Sequence, residues 1–179
     1  MNKRKIFWVF LGMTGWLVSG GLAKVYAGDM NMPAYEGSAE FQRLKGLAGV
    51  WQGSEVKGDK EEKIDVEYQV VSNGSAVMEK LFPGTPHEMV TVYYDKKGKP
   101  AMTHYCAVGN RPQMDMVSSD ETQMKFDLAG SSDIDAAQEA HMHTLTISFI
   151  DPDHIEQRWQ MYQDGKAGEA VQFKFARVR

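Results

Sequence analysis

From Val50 to the end of the chain, apolar residues recur at every second position in short runs, and a turn signal interrupts them about every ten residues. "VWQGSEV" breaks at "KGDKEE", "KIDVEYQVV" at "SNG", "SAVMEKLF" at Pro83-Gly84, and "HEMVTVYY" at "DKKGK". "PAMTHYCAV" breaks at "GNRP", "QMDMVSS" at "DE" and "TQMKFDLA" at "GSSD". "HMHTLTISFI" breaks at Pro152 and "HIEQRWQMY" at "QDGKAG", and "EAVQFKFARV" closes the chain. An acidic stretch, "IDAAQEA", reads as a loop or a single helical turn. Connections this short leave no room for crossover helices, which parallel strands need. The pattern therefore predicts an all-β fold, an antiparallel up-and-down β-barrel of about ten strands. The late strands carry one apolar face each: Leu145, Ile147 and Phe149; Ile155, Trp159 and Met161; Val171, Phe173 and Phe175. Strands with one apolar and one polar face suit a barrel whose apolar lining surrounds a core or a cavity.

One short N-terminal helix precedes the strands. Ser38 is an N-cap residue type, Phe41, Leu44 and Leu47 fall at helical spacing, and Gly46 or Gly49 can end the helix. Further upstream, "MNKRK" is a short basic region, "IFWVFLGMTGWLVSGGLA" is apolar, and "VYA" places small residues before Gly28. That three-part pattern predicts a signal peptide over residues 1–27 and a periplasmic or secreted location. Residues 28–37 lack periodicity and read as a flexible leader, and residues 38–179 form the barrel domain. No cysteine stands at the cleavage point, which excludes a lipid-anchored lipoprotein. Removal of Lys3, Arg4, Lys5 and Lys24 takes the 20 basic residues to 16 against 24 acids, a net charge of −8. Such a domain repels nucleic acid and anionic membrane surfaces, so neither is an expected partner. Cys106 is alone and cannot form an internal disulfide, so packing must hold the fold.

At "LAGVWQG" the chain resembles the opening of calycin-type barrels, the lipocalin and fatty-acid-binding superfamily, in which a short helix leads to a Gly-x-Trp whose Trp plugs one barrel end. Here those residues are Gly49 and Trp51. Residues 79–114, "EKLFPGTPHEMVTVYYDKKGKPAMTHYCAVGNRPQM", resemble a signature of secreted bacterial proteins of calycin-like fold, over about a quarter of the chain after Ala27. That family carries "NQPRM" where this chain has Asn110-Arg111-Pro112-Gln113-Met114. The family has no settled activity, so the resemblance implies fold and compartment rather than a reaction. A more distant similarity is to nitrobindin-like ten-stranded barrels, which bind haem through a histidine on the last strand. The last strand here, "EAVQFKFARVR", contains no histidine, and no haem or other cofactor is expected.

The stretch "MTHYCAVGNRPQM" (102–114) carries the candidate site. On an extended strand Met102, His104 and Cys106 share one face and Thr103 and Tyr105 the other. Met and Cys favour burial, which turns His104 into the lumen and makes Asn110-Arg111-Pro112 the turn. With the opposite parity the site would move to Tyr105. Glu79 is in phase with Val77 and Leu81, and Tyr93 with Met89 and Thr91. Successive strands of a meander lie side by side, so Glu79, Tyr93 and His104 should converge, joined by Cys106 and by Trp159 from the penultimate strand. Polar tips in an apolar lining suit a small, partly apolar ligand. Two other readings stay open: a buried cluster that only fixes strand register, and an enzyme using His104 as acid or base on a lumen-bound substrate. Cys106 and His104 can approach one another, but nothing supplies an oxyanion hole, so no catalytic residue is assigned. "HMH" at 141–143 sets two histidines on one face and Met30 and Met32 offer thioethers, yet no third ligand sits at motif spacing and no metal is assigned. The acidic runs "DKEEKID" and "SSDIDAAQE" read as solvated turns.

Overall fold

A computed structural model describes residues 32–57 and 60–178. The expected signal peptide and cleavage point, residues 28–31 of the leader and the tip of the first hairpin lie outside the described residues. Helix α1 (Ala39–Lys45) begins at Ser38, whose side chain accepts a hydrogen bond from the Phe41 N–H, and ends at Gly46. Ten strands follow: β1 (Gly49–Lys57), β2 (Lys60–Val71), β3 (Ala76–Leu81), β4 (Met89–Lys96), β5 (Lys99–Tyr105), β6 (Gln113–Ser119), β7 (Gln123–Leu128), β8 (His141–Asp151), β9 (His154–Gln163) and β10 (Lys166–Arg177). Each pairs with its sequence neighbours and β1 pairs with β10, so the meander closes into a barrel without a free edge. The pairs are antiparallel throughout. The fold is the all-β up-and-down barrel that the alternation predicts, and "IDAAQEA" is a loop with one turn.

Closure has one tight point. At Gly53 on β1 an added Cβ would stand 1.8 Å from the Lys174 carbonyl oxygen on β10, so only glycine lets these strands approach. Inward residues form one core, with Trp51, Val66, Tyr93, Met102, Met114, Phe126, Leu145 and Ile147 among those with no exposed surface. Helix α1 adds Phe41 and Leu44 and covers one end of the barrel. Residues 33–37, read from sequence as part of a flexible leader, are tied down: Tyr35 N–H donates to the Asn73 carbonyl (2.9 Å), and Lys45 bonds the Tyr35 carbonyl.

The turn after β5 differs from the sequence expectation. The strand stops at Tyr105, and Gly109 N–H donates to the Cys106 carbonyl (3.0 Å) with Gly109 at φ 91°. The reversal is therefore at residues 106–109. Residues 110–112 already run back along β5, with the Pro112 carbonyl accepting from His104 N–H at 3.0 Å. A left-handed φ is available to glycine at little cost, and this places the turn ahead of the Asn-Arg-Pro triplet.

Candidate functional site

Strand register builds the site. Tyr68 on β2 pairs with Glu79 on β3, Glu79 with Thr91 on β4, and Thr91 with His104 on β5. All four are inward and buried, giving a polar row across four adjacent strands inside an apolar barrel. Tyr93, two residues from Thr91, donates its hydroxyl to Glu79 Oε2 at 2.7 Å. From β9, Gln157 closes the cluster. Its Nε2 donates to the Tyr68 hydroxyl (2.5 Å) and to Glu79 Oε2 (3.0 Å), and its Oε1 accepts from Trp159 Nε1–H (2.9 Å). An indole nitrogen can only donate, which fixes the amide orientation and makes the set of bonds self-consistent.

Burial is the largest influence on the Glu79 carboxyl and pushes its pKa up; donors from Tyr93, Tyr68 and Gln157 oppose it. Burial and the neighbouring carboxylate hold Tyr68 and Tyr93 well above the ordinary phenol range, so both hydroxyls keep their protons and act as donors.

His104 is connected differently. Its Nδ1 shares a hydrogen bond with Thr91 Oγ1 at 2.9 Å, its ring lies 4.6 Å from the Trp159 ring, and its Nε2 has no hydrogen-bond partner among the described residues. The side chain is 1% exposed, and burial lowers its pKa to about 4, so the imidazole is neutral at ordinary pH. It lines a cavity of about 180 Å³ with Trp159, Leu81, Met89, Met142 and Phe173. Among the described residues, Glu55 is the only carboxylate on that wall. This volume is close to that of cavities of about 150 Å³ that admit a benzene-sized molecule.

The geometry divides the sequence-predicted residues. His104 and Trp159 line the cavity, whereas Glu79 and Tyr93 lie in the sealed network behind it and bond one another rather than His104. Cys106 is not on the cavity wall; it is half-buried in the turn beyond the end of β5, where strand parity no longer governs direction. Tyr68, Thr91 and Gln157 complete the polar set and were not assigned from sequence. Each had a signal: Tyr68 is in phase with Ile64 and Val66, Thr91 with Tyr93, and Gln157 with Ile155 and Trp159. No family model and no curated protein matches this chain.

Proposed function

We propose that this protein is an exported calycin-like barrel that binds one small, mostly apolar molecule carrying a single hydrogen-bonding group. The observation that carries the reading is His104: a buried, neutral imidazole on the wall of a largely apolar cavity, with Nδ1 engaged by Thr91 and Nε2 without a hydrogen-bond partner among the described residues. A buried polar atom without a partner costs free energy that a ligand's carbonyl or hydroxyl can recover. The volume suits a single ring or a short branched chain. The export half of the proposal rests on the basic start, apolar run and "VYA" ending.

A binding role is favoured over the enzyme alternative by the pKa of His104. An acid–base catalyst works best near the ambient pH, and an imidazole whose pKa burial lowers to about 4 carries no acidic imidazolium proton near neutrality and accepts one poorly.

The test is calorimetric titration with two probes of equal size, toluene and phenol, into the wild type and His104→Leu. The wild type should prefer phenol, and the substitution should weaken phenol about tenfold or more while toluene binding holds or improves. Failure of either probe to bind, or equal losses for both, would overturn the reading.

A further inference from the structure

Three side chains on the cavity wall carry nitrogen or oxygen: Glu55, His104 and Trp159. Trp159 is already committed, because its only side-chain hydrogen-bond donor goes to Gln157 Oε1 at 2.9 Å. Glu55 lies on β1 in register with Phe173 and is half-buried; a carboxylate can only accept. No lysine or arginine lines the cavity among the described residues. What a ligand must offer therefore depends on which nitrogen of His104 carries the hydrogen.

The neutral ring has one such hydrogen, on Nδ1 or on Nε2. Nδ1 shares a bond of 2.9 Å with Thr91 Oγ1, which is buried and has no other hydrogen-bond partner among the described residues. Were Nδ1–H the donor, the threonine hydrogen would be left without an acceptor, and a ligand at Nε2 would not supply one. With the Thr91 hydroxyl as donor, Nδ1 is the lone pair and Nε2 carries the ring hydrogen. That is then the one unmet hydrogen of the pair, and an acceptor on the ligand meets it. A buried donor without an acceptor is costly, so the second arrangement is the one that binding completes. The imidazole nitrogen is also far more basic than a hydroxyl oxygen, which makes O–H to N the stronger pairing.

We propose, on the premise of the binding role above, that the cavity takes a neutral molecule whose polar group is a hydrogen-bond acceptor, a small ketone or ester, held by His104 Nε2–H. An alcohol can accept the same hydrogen, but it brings one of its own into an apolar space. A carboxylate accepts better still, yet here it would be buried with no cation to pair with and with Glu55 on the same wall. A carbonyl makes the bond and leaves no hydrogen unmet. Thr91 is a positioning residue in this scheme: it acts through His104, by fixing the tautomer.

The experiment titrates the whole protein with cyclohexanone, cyclohexanol and cyclohexanecarboxylate, and records the nitrogen-15 resonances of the His104 ring, assigned by their loss in His104→Leu. Cyclohexanone should bind at least about fivefold more tightly than cyclohexanol, and the carboxylate should not bind measurably. The spectrum should show hydrogen on Nε2 and none on Nδ1, with the Nε2–H signal moving when cyclohexanone is added. Thr91→Val keeps the branched shape without the hydroxyl; it should give a mixture of tautomers and lose most of the ketone preference. Thr91→Ser restores the hydroxyl and should recover both, which a merely structural role for Thr91 would not produce. Cyclohexanol binding as tightly as cyclohexanone, or hydrogen on Nδ1, would overturn the acceptor assignment while the binding role stands. Failure of both to bind would overturn the two together.

Discussion

The two ends of the barrel are built from the same strands and finished in opposite ways. At the α1 end the described connections are short, at residues 72–75, 97–98, 120–122 and 152–153. Trp51 fills the interior there, its Nε1–H donates to the Leu47 carbonyl at 2.8 Å, and Arg177 lies 4.1 Å above its ring. The same guanidinium donates to the carbonyls of Ala48 (2.8 Å) and Gly46 (2.9 Å), satisfying groups at the end of α1. Ser38 N–H to Asp95 Oδ2 (2.7 Å) and Arg43 to the Asp120 carbonyl (2.5 Å) latch the helix down. At the far end the loops 82–88, 106–112 and 129–140 are longer, and the interior holds the cavity and the half-satisfied His104. A barrel with one sealed end places its available volume, and its recognition chemistry, under the longer loops at the other.

The largest effect should come from breaking the sealed end. Trp51→Ala removes a fully buried indole that both α1 and Arg177 pack on, and should cost about 3–5 kcal/mol in chemical denaturation. Met142→Ala, on a wall that already borders empty volume, should cost under about 2 kcal/mol. Equal losses would show that the two ends are packed alike.

The next effect separates the sealed polar network from the cavity histidine by pH. His104 titrates at about 4 in the fold against 6.5 in the open chain, so the unfolded state takes up protons first as pH falls. Its contribution is complete above about pH 6.5 and lost as pH drops toward 4, and amounts to about 3 kcal/mol. Glu79 has the opposite sign. Its carboxyl is raised in the fold, so the contribution is complete below the ordinary carboxyl value of 4.5 and lost as pH rises through the folded value. Urea midpoints measured across pH should therefore fall on both sides of an optimum. His104→Gln should flatten the acid side and Glu79→Gln the alkaline side. A variant that flattened the wrong limb, or neither, would sink the assignment of these groups.

The inward direction of Glu79, Tyr93, His104 and Trp159 was legible in the sequence because period-two parity holds while a strand persists. It stopped being informative at Tyr105, where β5 ends, and Cys106 is misplaced for that reason. Tyr68, Thr91 and Gln157 obey the same parity, but an inward polar residue acquires a role only when its partner is known. Gln157 meets Tyr68 and Glu79 across the lumen, a contact set by barrel curvature rather than by neighbouring strands. The cavity was the least legible feature. It is what remains at the end opposite Trp51 after side chains from many strands are summed, and no local pattern encodes such a remainder.

The smallest effect concerns two loops at the cavity end of the barrel. Arg111 Nη2 donates to Asp133 Oδ2 at 2.7 Å, and Asn110 Nδ2 donates to the Ala140 carbonyl at 2.8 Å, so loops 106–112 and 129–140 are pinned to each other twice. The Arg111–Asp133 side chains are 61% and 55% exposed, and solvent screens such a pair almost fully. Arg111→Ala should therefore leave the global denaturation midpoint unchanged within error. The helix latch at the sealed end also uses an arginine, but Arg43 is packed over the Phe149 ring at 4.1 Å as well as bonded to backbone, so Arg43→Ala should lower the midpoint measurably. Locally the ranking reverses. Without Arg111, amide hydrogens of 106–112 and 129–140 should exchange faster while those of β1, β2 and β10 keep their protection, because loop opening needs only the pinning contacts to break. Unchanged exchange in those loops would mean that the Asn110 bond and the β5–β6 backbone hold them without help from the ion pair.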